Sequence, residues 1–165
     1  MGEPGEEREV LLQFVERFAL VLRESGMSPM PARVFAYALA DDADRYTAAE
    51  LAEGLGVSLA AISGAVRQLV QIGLLSRERE PGTRSDLYVL DDRDLWSRFY
   101  TARTGLLEVY ERTMADGVAV LGADQPGGRR LEESREFFAF LLAEIPPMLE
   151  RWRAHRQRLY GDQRG

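Results

Sequence analysis

Cysteine and lysine are both absent from the 165 residues, and histidine occurs once, at His155. Without cysteine there is no disulfide, no thiolate metal ligand and no thiol redox switch. A lone histidine builds neither a zinc nor a haem site, so no metal and no cofactor is expected. Every basic residue is arginine. That bias is what a high-GC bacterial genome produces, and it is read as composition first, although arginine suits base and phosphate recognition. There is no internal repeat, no Gly-rich phosphate loop, no nucleophile with a credible histidine base and no carboxylate pair of distinctive spacing. An enzyme is therefore not expected. The segment through Gly5 lacks the apolar core of a signal peptide and no run is long enough to span a bilayer, so the expected place is the cytoplasm, away from membranes.

What is present is a globular composition, 45% hydrophobic and 9% aromatic, sufficient for one core with helical extensions. Residues 47–90 carry the most information, because two helices with their punctuation are followed at once by a short hairpin. Thr47-Ala48-Ala49-Glu50 is a capping box, in which the Thr47 hydroxyl accepts from the Glu50 N–H while the carboxylate reaches back. Gly54 and Gly56 stop that helix. Ser58 is the natural N-cap of a second one running to about Ile72, where Gly73 supplies the left-handed residue and Leu74 the contact beyond it. Two helices a few residues apart make a helix-turn-helix.

Leu59, Ile62, Val66, Leu69 and Val70 define the buried stripe of the second helix. Its other face carries Ala60, Ala61, Ser63, Gly64, Arg67, Gln68 and Gln71, and no acidic residue falls between Ser58 and Ser76. Small side chains let a helix sink into a major groove, and Arg and Gln have the bidentate geometry that reads guanine and adenine edges. A merely solvated face would mix Glu and Arg at four-residue spacing. Leu74 to Glu80, Pro81 to Ser85 and Asp86 to Leu90 read as strand, turn and strand. Pro81-Gly82 marks the turn. Thr83 and Arg84 fall near its tip, where a long cation enters a minor groove or neutralises a phosphate, and Arg77 and Arg79 lie on the first strand.

The flanks read as long helices. Residues 6–25 carry a stripe of Val10, Leu11, Phe14, Phe18, Val21 and Leu22, ended by Gly26; the next helix enters through Ser28 and a proline and sends Val34, Phe35, Ala38 and Leu39 inward, with Asp41 to Arg45 as exit loop. Beyond the hairpin, Asp91 or Asp92 caps a helix from about Asp94 to Leu121. Gly122 to Gly128 is a linker by composition. The last helix runs from about Arg130 to Tyr160, with a candidate kink at Pro146-Pro147. Phe14, Phe18 and Leu22 at one end and Phe137, Phe138, Leu141 and Trp152 at the other exceed what one winged helix covers, and are assigned to a dimer interface.

The run Met30 to Leu39, the helix pair at 47–72, Pro81 to Asp86 and the later Gly127 to Phe138 together resemble the GbsR branch of the MarR-type transcriptional regulators, over nearly the whole chain. The resemblance implies a mostly α fold, a winged helix-turn-helix with a short β-hairpin wing and N- and C-terminal dimerisation helices. It divides the chain into residues 1–27, 28–92 and 93–165: a dimerisation helix, the DNA-binding domain and the C-terminal dimerisation helices. It further implies a homodimer acting on double-stranded DNA and, in some members, control by choline or a related compound. Trp96, Phe99 and Tyr100 are the aromatic candidates for such a quaternary ammonium, against the plainer role of core or dimer contact.

The net charge of −6 weighs against nucleic acid, and distribution answers part of it. Acids load the N-terminal tail and the junctions at Asp41 to Asp44 and Asp91 to Asp94, while from Ser58 to Ser85 the cations Arg67, Arg77, Arg79 and Arg84 face only Glu78 and Glu80. A basic face on an acidic body gives modest non-specific affinity. The expected function is a homodimeric regulator on a pseudo-palindromic operator, with Arg67 and Gln68 reading bases and Ser58 and Ser63 touching phosphate or base edges. The alternative is a winged helix used for protein contact without DNA.

Overall fold

The computed structural model describes residues 4–79, 82, 85–90 and 94–161. These form helices α1 (Pro4–Glu24), α2 (Pro29–Ala40), α3 (Ala48–Leu55), α4 (Leu59–Gln71), α5 (Leu95–Leu121) and α6 (Pro126–Tyr160), with strands β1 (Arg45–Thr47), β2 (Ser76–Arg79) and β3 (Asp86–Val89). Two compact units result, Met1–Leu95 and Trp96–Gly165.

The first unit is held by apolar faces converging on α2, which buries Pro31, Ala32, Val34, Phe35, Ala36 and Ala38. α4 supplies Ile62, Ala65, Val66 and Leu69, and α3 supplies Leu51, Ala52 and Leu55. α1 lies on α2 through Val15 and Ala19, with the Phe18 ring 6.3 Å from that of Phe35. Two expectations fail here. Leu59, assigned to the buried stripe, is 56% exposed because it opens the first turn of α4 beyond the core, and Ala65 takes its place. Val10, Phe14 and Val21 also stay exposed while Val15 and Ala19 are buried, since the apolar arc of α1 is wider than its contact with α2.

The caps act locally as the residues dictate. Glu50 N–H donates to the Thr47 hydroxyl at 3.2 Å, and the Thr47 N–H and hydroxyl donate to the Glu50 carboxylate at 2.6 and 2.8 Å. Gly56 closes α3 at φ 64°, where a side chain would be strained. These hydrogen bonds, the backbone one first, hold the Glu50 carboxyl below the ordinary carboxylate range. A depressed folded value stabilises above the unfolded value and loses that contribution as pH falls through the folded one. Thr47→Ala is expected to lower unfolding free energy by about 1 kcal/mol, and Glu50→Gln to flatten the acid limb of stability; urea titrations from neutral to acid pH check both.

The sheet has three strands in the order β1-β3-β2, all antiparallel, with Arg45 opposite Val89 and Ser76 opposite Val89 on the other side. β1 replaces the end of the expected exit loop, and it ties the chain ahead of α3 to the second wing strand. Tyr46, buried in β1, donates its hydroxyl to Asp41 at 2.9 Å. Burial, then that hydrogen bond, pushes its phenol far above the ordinary range.

The second unit is an antiparallel hairpin of α5 and α6. Tyr110 and Phe138 rings sit 5.2 Å apart, Arg135 pairs with Glu111 at 3.4 Å, and Gly128 packs on the backbone of Gly122. The linker shortens to Gly122 through Gln125, because Pro126 takes the first helical position, where its missing N–H is no loss. α6 runs on through Pro146 and Pro147, where two rungs of its hydrogen-bond ladder are missing.

Candidate nucleic-acid interface

α4 begins where Ser58, in extended backbone, accepts the Ala61 N–H at 3.3 Å. Its hydroxyl is committed to that cap and still lies on the surface. Ala60, Ser63, Gly64 and Arg67 are exposed, and Ala61 and Gln68 are half-buried. Gly64, Arg67, Gln68, Gln71 and Ile72 line one shallow surface depression, so the expected base-reading pair lies on one continuous surface. Gln71 extends it by a turn.

Gly64 has no internal reason to be glycine. A Cβ there would meet nothing within 4 Å, yet glycine in a helix interior costs about 0.5–1 kcal/mol relative to alanine. A glycine that the fold does not need, at the middle of an exposed acid-free face, fits a helix that something approaches closely.

In the wing, Arg77 stands opposite Tyr88 and Arg79 opposite Asp86. Arg77 reaches diagonally to Asp86 at 2.7 Å, and that hydrogen bond raises its guanidinium above its ordinary value. Arg77 therefore acts as a strut between the wing strands, with its side chain still 57% exposed. Arg79 is exposed and in no ion pair among the described residues. Thr83 and Arg84, and the capping candidates Asp91 and Asp92, lie outside the described residues.

The residues assigned to a dimer interface divide into two groups. Phe14 and Phe137 are 46% and 56% exposed. Phe18, half-buried, stacks on Phe14 and meets Phe35, and Phe138 meets Tyr110, so these two also pack within the chain. Leu22, Leu141 and Trp152 are half-buried. At the start of α5, Phe99 lies edge-on to both Trp96 and Tyr100, and the Arg103 guanidinium sits 4.0 Å from the Phe99 centroid. The guanidinium thus covers one face of the Phe99 ring.

Arg8 is a contact no periodicity indicated. From α1 it donates to the carbonyls of Glu53 and Gly54 at 2.9 and 3.3 Å. Carbonyls at a helix C-terminus lack intrahelical partners and carry partial negative charge, which a guanidinium complements. Arg8 thus ties α1 to the helix preceding α4.

A three-stranded wing beside two helices, the second of them exposed and acid-free, defines a winged helix-turn-helix of the kind found in transcriptional regulators. Residues 38–84 match the MarR family, and residues 94–155 match the MmpR5-like MarR family transcriptional regulators. The HTH-type transcriptional regulator MmpR5 of Mycobacterium tuberculosis is 26% identical over 144 residues, covering 86% of each chain. A crystal structure of a transcriptional regulator superposes with a TM-score of 0.78 at 24% identity, over 86% of this chain and 97% of that one. Both matched stretches are those of MarR-type transcriptional regulators, which are DNA-binding regulators rather than enzymes. The branch these matches name is the MmpR5-like one rather than the GbsR branch of the resemblance. No single helix among the described residues is long and apolar enough to cross a membrane.

Proposed function

We propose that the chain is a homodimeric repressor or activator that places α4 of each copy in successive major grooves of a pseudo-palindromic operator, in the cytoplasm. Half-sites would then be about 34–36 Å apart. Residues 28–92 are the reading part in this scheme, 1–27 and 93–165 the parts that join two copies, and Arg79 and Arg84 hold the wing to the DNA backbone or minor groove. The observation that carries the reading is Gly64, a helix-interior glycine with open space where its side chain would be, flanked by Ser63, Arg67 and Gln68. Close approach of a duplex gives that vacancy a purpose.

Selection of bound sequences from random duplex DNA should enrich an inverted repeat. Two variants then separate reading from folding. Gly64→Ala should stabilise the fold by about 0.5–1 kcal/mol and weaken operator binding. Arg67→Ala should leave stability unchanged, remove about 1–3 kcal/mol of specific binding and relax preference at one operator position. Titration against operator and scrambled duplex reads both; full affinity in both variants would discard this docking, and failure to enrich any repeat would turn the reading toward protein contact.

A further inference from the structure

An open groove between α1, α2 and α3 is lined by five carboxylates, Glu7, Asp41, Asp42, Glu50 and Glu53, and by one cation, Arg8. Arg8 is engaged by backbone carbonyls, and none of the five carboxylates is in an ion pair among the described residues. Glu50 serves the Thr47 cap and Asp41 accepts from Tyr46. Glu7, Asp42 and Glu53 are exposed. The groove measures about 780 Å³, the size of a small-molecule site, but such sites are mostly apolar, and here only Leu11, Tyr37 and Ala40 are not charged or glycine. Concentrated negative charge of this kind attracts a polybasic partner.

The matching charge is in the same chain. Residues 151–160, the last turns of α6, hold Arg151, Arg153, Arg156 and Arg158 and no acid. Arg151 and Arg158 are exposed. Leu159 and Tyr160 beside them are 58% and 51% exposed, as are Val10 and Phe14 of α1, the helix that supplies Glu7 and Leu11 to the groove, at 66% and 46%. The end of α6 therefore pairs positive charge with uncovered apolar side chains, and α1 beside the acidic groove also carries uncovered ones.

We propose that the arginine-rich end of α6 docks into the acidic groove of a second copy of the chain. This inference rests on the homodimer proposed above and adds the pair of surfaces that meet. Under two-fold symmetry the contact is made twice. Because Arg8 lines the groove and holds the end of α3, the docked helix bears directly on the helix-turn-helix.

Joint Arg151→Glu and Arg158→Glu substitution is expected to weaken dimerisation about tenfold at low salt, with the difference nearly gone at about 0.5 M salt. Adding Glu7→Arg and Asp42→Arg to the same chain should restore it; sedimentation equilibrium reads each dissociation constant. The cysteine-free chain also permits a placement test with a short bismaleimide. Mixed Asp42→Cys and Arg158→Cys chains should cross-link to a dimer that neither forms alone. Cross-linking only within the double variant overturns the proposal in favour of docking inside one chain. No cross-link in a protein that sediments as a dimer overturns this contact alone, and a monomer overturns the homodimer reading with it.

Discussion

Phe35→Ala is expected to lower the free energy of unfolding by about 3–5 kcal/mol, the range for deleting a buried phenylalanine. The ring is 1% exposed and meets Phe18 of α1 at 6.3 Å, on the helix against which α4 also packs. Three effects coincide: lost transfer energy, a cavity in a close-packed interior, and a looser seat for both α1 and α4. Domain stability is commonly about 5–15 kcal/mol, so the variant should unfold at much lower urea, and binding should fall because α4 has lost its platform. Phe14→Ala is the comparison. That ring is 46% exposed, so its removal should change folding far less and act on self-association. Equal urea midpoints for Phe35→Ala and the parent chain would remove Phe35 from its place at the centre of the core.

The features legible in the sequence were those whose causes lie within one or two turns. The Thr47–Glu50 capping box, the Ser58 cap and the left-handed Gly56 and Gly73 all depend on residues three to five apart, and helix boundaries followed them closely. The exposed face of α4 followed from periodicity for the same reason. β1 did not, because three residues form a strand only by pairing with β3 some forty positions later. The strut from Arg77 to Asp86 depends on strand register, and the bond from Arg8 to Glu53 joins residues 45 apart. The side of α1 that is buried was also illegible. Val10, Phe14 and Val21 are as apolar as Leu11, Phe18 and Leu22, and only the position of α2 decides between them.

Charge shows the same division between composition and placement. A net charge of −6 describes the chain, whereas binding depends on which groups face a partner within about 8–10 Å, the screening length near physiological salt. Around α4 and β2 the acids are few and Arg67 and Arg79 are exposed, while the carboxylates gather in the groove by α1 and at the junctions. An acidic protein with so few exposed cations on its working face should bind DNA with a shallow salt dependence and little non-specific affinity.

Gly128→Ala is expected to disrupt the α5–α6 hairpin while sparing the winged helix. A Cβ at Gly128 would overlap the Gly122 carbonyl oxygen, with the carbonyl carbon at 2.7 Å and Ala123 Cα at 3.3 Å. All three atoms belong to backbone, so no side chain can turn aside, and either the first turn of α6 or the linker must shift. Overpacking of this kind costs about 1–3 kcal/mol, more where the backbone cannot yield. Gly117 makes the contrast: its added Cβ would meet only the end of the Leu131 side chain, at 2.7 Å, so Gly117→Ala should be absorbed by a rotamer change. Hydrogen exchange should show protection lost across residues 96–160 in Gly128→Ala and kept in α2, α3 and α4. With the proposed dimer, operator affinity should fall more than tenfold, because a monomer holds one half-site and forfeits the second set of phosphate contacts. Unchanged protection in α5 and α6 would show that the hairpin tolerates the methyl group, and unchanged operator affinity beside lost protection would separate the hairpin from DNA binding.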